Sequence, residues 1–242
     1  MPDATIHLRP TAPLAERVLL PGDPGRALLL AQALIGEPRM FNHHRGLWGY
    51  TGAAVSDGEL LTIQSSGMGG PSAAIVVEEL ARLGARRVIR VGTCGAIAPG
   101  IDLGDVLVVR AALTADGTSR ALGAGDRVDP DAALADALAR AAGDRAREGL
   151  VASTDLFYDS DRGREATWVA AGALAVEMEA ATVLRVASLR GLRAACALAV
   201  TDLIGPDGRH DRLGEDAIED AGERVGRIAA AALGAADAPG PG

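Results

Sequence analysis

The chain contains no lysine, because all 24 of its basic residues are arginines. Mechanisms that form a Schiff base on lysine are therefore excluded, and so is a P-loop, which needs a lysine to reach the phosphates. Aromatic residues make up only 2% of the chain although 48% is hydrophobic. We therefore expect a core of Ala, Val, Leu and Ile, which favours close packing of helices on a sheet.

A basic surface, a membrane span and a signal peptide are also missing from the sequence. The net charge of −8 argues against a nucleic-acid partner, although a local arginine cluster can still attract a small anion. No stretch approaches the roughly 20 apolar residues that span a membrane. The first residues also lack the basic region followed by an apolar run that is typical of a signal peptide. Both cysteines, Cys94 and Cys196, lie in apolar segments typical of reduced thiols. We predict a cytoplasmic protein with no nucleic-acid or membrane partner.

Apolar runs and helical periodicities alternate along the whole chain without a repeat or a linker. This alternation predicts one mixed α/β domain over residues 1–235, with a central β-sheet flanked by helices, and a disordered tail over 236–242. Strands are predicted over residues 16–21, 60–64, 88–91, 105–109, 150–153, 175–178 and 194–200, helices over 24–35, 71–83, 131–142, 179–189 and 213–233, and irregular loops over 116–129 and 154–164.

Residues 87–98 carry the first indication of a ligand site. A short run rich in β-branched residues leads into Gly92, Thr93, Cys94 and Gly95, which predict a sharp turn with exposed backbone N–H groups. Ligands of open α/β sheets bind at the carboxyl ends of strands. Arg90 and Thr93 beside free N–H groups suit an oxyanion. The alternative is an ordinary strand-to-loop transition with a surface arginine.

A second arginine follows the first predicted strand. Gly22 lies in a turn after that strand, and Pro24 is well placed to begin a helix with Arg26 in its first turn. Two arginines that converge on one pocket beside a helix N-terminus form a good site for phosphate. Taken singly, each would more often be a surface residue.

Other ligand motifs are not met. The G-x-G-x-x-G fingerprint fails because Ser72 stands where the third glycine after Gly67 and Gly69 is required. The four histidines are isolated or, at His43 and His44, adjacent, so no clustered metal ligands are predicted. We therefore expect no metal site.

Carboxylates lie at two further strand ends. Glu177 and Glu179 flank Met178 where a strand runs into a helix, and alternate residues of an extended segment share a face, so both carboxylates can meet one ligand. The alternative is a helix N-terminus that prefers acids. Asp202 ends a long apolar strand, where partial desolvation suits a general acid. Its alternative role is to cap the next segment.

Taken together, these stretches resemble the nucleoside phosphorylase family of hexameric purine nucleoside phosphorylases, uridine phosphorylases and archaeal-type methylthioadenosine phosphorylases. The resemblance extends from His7 to the last helix, and its motifs follow the family's order. They are P-G-D-P-G-R, N-H-H-R-G, S-S-G-M-G-G-P-S, I-R-V-G-T-C-G-A, D-L-F-Y, V-E-M-E-A and T-D.

The resemblance implies a pentosyltransferase that phosphorolyses purine (deoxy)ribonucleosides to free base and (deoxy)ribose 1-phosphate. Inorganic phosphate would be a co-substrate, with no further cofactor. A neighbouring subunit would supply Arg45 and His7, so the resemblance implies a homo-oligomer, most often a hexamer. The implied phosphate-binding residues are Gly22, Arg26, Arg45, Arg90 and Thr93, and the implied nucleoside-binding residues are His7, Met68, Phe157, Glu177, Met178 and Glu179.

The choice of base depends on Asp202. In the family's purine enzymes an aspartate here protonates N7 of the base as the glycosidic bond breaks. Uridine phosphorylases instead read uracil with Gln and Arg after the F-Y pair, where this chain has Asp161 and Gly163. Arg162 and Arg164 are near enough that a shifted loop would restore part of that pair.

Four matters stay open at the level of sequence. The arginine that partners the aspartate in purine enzymes has two candidates here, Arg209 and Arg212. Residues 65–72 and 77–84 look more like the uridine and methylthioadenosine enzymes, so uridine phosphorylase is the main alternative. A nucleosidase would not need the phosphate arginines, and a non-catalytic nucleoside-binding protein would not need Glu179 and Asp202.

Overall fold

The computed structural model describes residues 5–205 and 210–235, apart from the side chains of Arg145 and Arg162. Strands and helices alternate along this part of the chain. The strands are β1 (Arg17–Pro21), β2 (Arg39–Asn42), β3 (Gly49–Ala53), β4 (Leu60–Gln64), β5 (Arg87–Ala96), β6 (Val106–Ala115), β7 (Arg127–Val128), β8 (Ala146–Thr154), β9 (Ala173–Glu177), β10 (Arg193–Ile204) and β11 (His210–Arg212). The α-helices are α1 (Pro24–Leu34), α2 (Gly70–Leu83), α3 (Gly117–Ala121), α4 (Ala132–Ala142), α5 (Arg162–Ala170), α6 (Ala180–Arg190) and α7 (Glu215–Ala235).

The described strands form one mixed sheet. Strands β5, β9, β8, β6 and β10 pair in that order, and β10 pairs again with β5, so these five strands close into a ring. Strand β1 pairs in parallel with both β5 and β4, and β3 and β2 extend the sheet beyond β4. Flanking helices complete the architecture, and the prediction of a mixed sheet between helices is confirmed.

Small and branched apolar side chains form a hydrophobic core on each face of the sheet. Successive residues of β5 alternate between the two, because Val88 belongs to the core that includes α2 and α6 and Ile89 to the core that includes α1, α4 and α7. A Cβ atom on Gly226 would overlap Leu30 Cδ2, so glycine at that position allows α7 to approach α1 closely. Such close approach compensates for the scarcity of aromatic side chains.

Three local predictions are wrong. Residues 92–95 form no sharp turn, because β5 continues through them in parallel pairing with β10. The predicted loop 116–129 contains α3 and β7, and Asp116 starts the helix by accepting the N–H of Ser119 at 2.7 Å. The second predicted loop ends earlier than expected because α5 begins at Arg162, where Asp161 accepts the N–H of Gly163 at 3.0 Å.

Helices long and apolar enough to cross a membrane are absent from residues 5–205 and 210–235. The predicted disordered tail at 236–242 lies outside the described residues.

Candidate active site

A cavity of about 720 Å³ opens where several strands end. Its walls include the residues that follow β1, β4, β8 and β9, parts of β5, β9 and β10, and residues of α5 and β11. Every predicted site residue except His7 lines it, namely Gly22, Arg26, Arg45, Met68, Arg90, Thr93, Phe157, Glu177, Met178, Glu179 and Asp202. Motifs that are far apart in the sequence therefore meet in one place.

The wall formed by β5 lies in a gap between two sheet neighbours. Strand β1 pairs with β5 only as far as Val91, and β9 pairs with it only from Gly95 onward. Residues 92–94 thus have a described strand partner on one side only, in β10. Thr93 lies in this gap and faces the cavity. The gap offers polar backbone to a ligand although the predicted turn is absent.

The segments after β1 and β4 meet at glycine residues. The N–H of Gly67 donates to the carbonyl oxygen of Gly22 at 3.0 Å, and a Cβ atom on Gly22 would lie 3.4 Å from the carbonyl oxygen of Gly67. Asp23 caps α1 by accepting the N–H of Arg26 at 2.6 Å. This cap places the Arg26 side chain, on the first turn of the helix, against the cavity.

Arg26 and Arg90 approach each other and Glu179. Burial lowers the pKa of Arg26, and the nearby guanidinium of Arg90 lowers it further, whereas Asp23 and Glu179 raise it. The stem of Arg26 passes over α7 at Gly222, where a Cβ atom would be 3.2 Å from Arg26 Nε. Two guanidinium groups in one partly desolvated wall favour a polyvalent anion between them.

Arg90 is held by two carboxylates. Its Nη2 lies 2.9 Å from Glu177 Oε2 and 2.5 Å from Glu179 Oε2, and all three side chains are almost completely buried. Burial alone would lower the pKa of Arg90, but the two carboxylates raise it above its ordinary value. The guanidinium is consequently a fixed positive charge in the wall of the cavity.

Glu177 caps helix α6 from the end of β9. Its carboxylate accepts the N–H groups of Glu179 and Ala180 at 2.9 Å and the hydroxyl hydrogen of Ser153, besides its bonds with Arg90. Donors of the chain itself bind both carboxylate oxygens of Glu177. This agrees with the alternative given for the acids here, that they serve the N-terminus of a helix. Glu177 therefore positions Arg90 and the turn that carries Met178, and its contact with the nucleoside stays a prediction.

Glu179 is the second carboxylate at this junction and makes fewer bonds to the chain than Glu177 does. It accepts the N–H of Gly69 at 2.5 Å as well as a bond from Arg90. Burial raises the pKa of Glu179, opposed by Arg90 and supported by the negative charge of Glu177. The bond to Gly69 fixes the carboxylate against the glycine-rich loop that precedes α2.

Asp202, on β10, lines the same cavity. Its Oδ1 is 2.7 Å from Arg212 Nη1 and 2.9 Å from His210 Nε2, and Thr201 donates its hydroxyl to Oδ2 at 2.6 Å. Arg212, one of the two candidates that the sequence left open as the partner of Asp202, is thus in contact with it. The other candidate, Arg209, lies outside the described residues.

Large apolar side chains form the mouth of the cavity. Phe157 and Tyr158 contact edge to face at a centroid distance of 5.0 Å, and both are mostly exposed. Met68 is also largely exposed on the loop before α2. An uncovered aromatic pair beside a polar cavity is suited to stack on a planar ring.

His7 and Arg45 were both expected to serve a neighbouring subunit. His7 stays outside the cavity of its own chain, where its Nδ1 contacts Glu79 Oε1 at 2.8 Å. Arg45 instead lines the cavity of its own chain, with a left-handed backbone at φ 59° that is uncommon for a residue with a side chain. A role for either residue toward a neighbour remains a prediction.

Sequence reasoning missed four contributors. Helix α5 brings Glu165 and Trp168 to the cavity, but that helix was not predicted. His210 was considered only as an isolated histidine, and Ser153 only as part of a strand. Each depends on a contact between distant segments, so no local pattern indicated it.

Comparison with known proteins agrees with this geometry. A family model described as phosphorylase superfamily matches residues 16–235. The curated purine nucleoside phosphorylase DeoD-type of Geobacillus kaustophilus is 39% identical over 202 residues, covering 80% of this chain and 84% of that protein. The DeoD-type protein of Roseobacter denitrificans is 37% identical over 206 residues, covering 82% and 87% of the two chains.

A solved structure shares the fold. Uridine phosphorylase from Vibrio fischeri superposes on this chain with a TM-score of 0.81 and 26% sequence identity, covering 92% of both chains. Because the family model covers most of the sequence and relatives exceed one third identity over most of their length, the chain belongs to the phosphorylase superfamily.

Proposed function

We propose that the protein phosphorolyses purine nucleosides to free base and pentose 1-phosphate, as a pentosyltransferase with inorganic phosphate as its co-substrate. One observation carries this proposal: Arg26, Arg90 and Asp202 line a single cavity, and Asp202 is paired there with Arg212. The arginines suit the incoming anion, and the aspartate suits the leaving base. The names of the DeoD-type relatives support the same substrate class.

Phosphate binds between Arg26 and Arg90, with the gap beside Thr93 and the turn at Gly22 as further donors. Glu177 holds Arg90 in place, so the positive charge is oriented before phosphate arrives. Preorganised charge of this kind costs little reorganisation during the reaction. A neighbouring subunit supplies Arg45 to this anion site, and Arg45 also lines the cavity of its own chain.

Glu179 and Met178 bind the pentose. A carboxylate can accept hydrogen bonds from the 2′- and 3′-hydroxyls, and its negative charge favours an oxocarbenium-like transition state. As the bond between C1′ and N9 breaks, an oxygen of phosphate forms the new bond to C1′. Met68 and Phe157 lie near the base, where the aromatic ring can stack on it.

Asp202 acts as the general acid toward N7 of the purine. Proton transfer by a positioned side chain commonly contributes 10²- to 10⁴-fold to a rate. The side chain of Asp202 is 12% exposed and is held by Arg212, which orients it toward the cavity. A neutral leaving base forms only if such a proton is supplied as the glycosidic bond breaks.

Uridine phosphorolysis is the second candidate, favoured by the Vibrio fischeri structure. It requires an amide and a guanidinium near the position after Tyr158. Arg164, one of the two arginines that a shifted loop would have to supply, is paired instead with Asp159 at 3.0 Å and Asp161 at 3.3 Å. This pairing favours the purine assignment.

A substrate panel with wild-type protein and Asp202→Asn tests the proposal. Inosine, adenosine, methylthioadenosine and uridine are each assayed with and without phosphate by release of base and of pentose 1-phosphate. We expect phosphate-dependent turnover of purine nucleosides, reduced about 10²-fold or more in Asp202→Asn. Turnover of uridine alone would overturn the purine assignment, and turnover independent of phosphate would indicate a nucleosidase. Phosphate binding by the variant, measured calorimetrically, should be unchanged.

A further inference from the structure

The strand pair β10–β11 places a histidine on the proposed general acid. In the antiparallel register Asp202 faces Arg212, and Ile204 faces His210. The His210 side chain turns back along the hairpin, and its Nε2 lies 2.9 Å from Asp202 Oδ1. Arg212 and His210 thus contact the same carboxylate oxygen.

Asp202 is surrounded by hydrogen-bond donors, yet an acid must carry a proton of its own. Of its three partners, the arginine guanidinium does not release a proton in proteins, and the hydroxyl of Thr201 is a very weak acid. An imidazolium releases its proton readily near neutral pH. His210 is therefore the only one of these three groups that can protonate the carboxylate.

The difference in exposure between His210 and Asp202 also defines the direction in which a proton moves. His210 is 49% exposed and Asp202 only 12%. Protons from solvent therefore reach the imidazole first, and the imidazole is already in hydrogen-bond contact with the carboxylate.

We propose that His210 is the positioning residue through which Asp202 receives the proton that it passes to the purine base. The inference rests on the proposed purine phosphorolysis. Protonated His210 transfers the proton on Nε2 to Asp202 Oδ1, which becomes a neutral carboxylic acid. The O–H bond of Asp202 then breaks as the N7–H bond forms, while the electron pair of the C1′–N9 bond moves to the base and phosphate bonds to C1′. Neutral His210 regains a proton from solvent.

The neighbouring charged and titratable groups are compatible with this relay. Arg212 on β11 stays charged and continues to orient Asp202. Cys94 on β5 remains a thiol, because burial raises its pKa and the charges of Glu177 and Asp202 raise it further. Glu177 on β9 is engaged with Arg90 and the N-terminus of α6. Asp211, between the two β11 side chains, belongs to the opposite face by strand alternation.

N7-methylinosine separates proton supply from every other role of His210. Its purine ring already carries a positive charge, so its base leaves without a proton from the enzyme. The variants are His210→Gln, which keeps a donor but no transferable proton, His210→Phe, and Asp211→Asn as a control on the same strand. The kcat with inosine and with N7-methylinosine is measured at saturating phosphate between pH 5.5 and 9, so that the ionisation of phosphate affects both substrates alike.

With inosine we expect kcat of the wild type to fall as pH rises, relative to kcat with N7-methylinosine, because the supply of protons to Asp202 through the imidazole of His210 decreases. In both His210 variants the inosine kcat should be at least about tenfold lower near neutral pH, without this relative fall, while kcat for N7-methylinosine stays within about twofold. Asp211→Asn should preserve the wild-type ratio and its pH profile.

Two outcomes would overturn the relay. One is an equal loss of kcat on both nucleosides, which means that His210 only supports the hairpin, and the other is an unchanged inosine profile in His210→Gln. Asp202→Asn distinguishes this failure from failure of the proposed function. If Asp202→Asn selectively loses inosine turnover while His210→Gln does not, only the relay is wrong. Normal inosine turnover in Asp202→Asn would show that both the general acid and its relay are wrong.

Discussion

Gly92 provides the space in which the guanidinium of Arg90 lies. The two residues belong to the same strand, two positions apart, and a Cβ atom at position 92 would lie 2.8 Å from Arg90 Nη2 and 2.9 Å from Arg90 Cζ. The guanidinium cannot move aside without breaking its bonds to Glu177 and Glu179. Glycine at position 92 therefore sets the position of the charge proposed to bind phosphate.

Replacing Gly92→Ala should displace Arg90 and weaken phosphate binding. We expect the KM for phosphate to rise about tenfold or more, which corresponds to about 1.4 kcal/mol. Overpacking should also lower the free energy of unfolding by about 1–3 kcal/mol. Gly125→Ala is the matched control, because a Cβ atom there meets nothing within 4 Å. An unchanged phosphate KM in Gly92→Ala would show that Arg90 does not hold the anion.

Glu177→Gln tests whether the buried carboxylate supports both Arg90 and helix α6. The change keeps the volume but removes the charge on which Arg90 and two backbone N–H groups depend. Hydrogen bonds to charged groups contribute about 1.5–3 kcal/mol, so the free energy of unfolding should fall by about that much or more. Ser153→Ala, which removes one neutral donor to Glu177, should cost about 1 kcal/mol. Denaturant unfolding measures both variants, and equal stability of Glu177→Gln and wild type would contradict the assignment.

The convergence of the candidate residues on one cavity was easier to predict from the sequence than the local backbone was. Gly22, Arg90 and Asp202 each follow or end an apolar run, and strand ends of an α/β sheet converge whatever the exact lengths of the strands. The continuation of β5 through Gly92 was not predictable, because β10 pairs with these residues from about 100 positions away.

The contacts of Asp202 could not be predicted from the sequence for a related reason. Its contacts with Arg212 and His210 depend on the register of the β10–β11 pair, which no periodicity in the sequence specifies. Helix α5 has few buried side chains to produce an apolar face, so its period was not recognised. Non-local strand pairing thus explains why the contacts of Asp202 were not predicted, and weak amphipathicity explains why helix α5 was not.

Glu79 anchors the N-terminal segment, and its contribution to stability should depend on pH. Burial alone would raise its pKa, but the backbone N–H groups of Ile6, His7 and Leu8 and the imidazole of His7 donate to it and hold the pKa below its ordinary value of 4.5. A carboxylate with a lowered pKa stabilises the fold above the unfolded pKa and loses this effect as pH falls through the folded pKa.

We therefore expect Glu79→Gln to lower the free energy of unfolding by about 1–3 kcal/mol at pH 7. The difference from wild type should stay constant down to about pH 5 and shrink below 4.5. Thermal or urea unfolding across this range gives the measurement, with Glu37→Gln as a control at an exposed glutamate. A difference that persists undiminished at pH 3 would show that the charge of Glu79 is not what anchors the segment.

The position of His7 allows a direct test of a site shared between subunits. Its ring is outside its own cavity, its Nδ1 bonds to Glu79, and its side chain is 25% exposed. If Nε2 reaches the nucleoside of a neighbour, His7→Ala should lower kcat/KM for inosine about tenfold, the equivalent of one lost hydrogen bond of about 1.4 kcal/mol. Refolding His7→Ala together with Asp202→Asn should then recover activity beyond the sum of the two, because some cavities receive an intact His7 and an intact Asp202 from different chains. As a control, refolding Asp202→Asn with the double variant His7→Ala/Asp202→Asn should recover no activity. If the mixture of His7→Ala and Asp202→Asn also recovers none, each chain completes its own site.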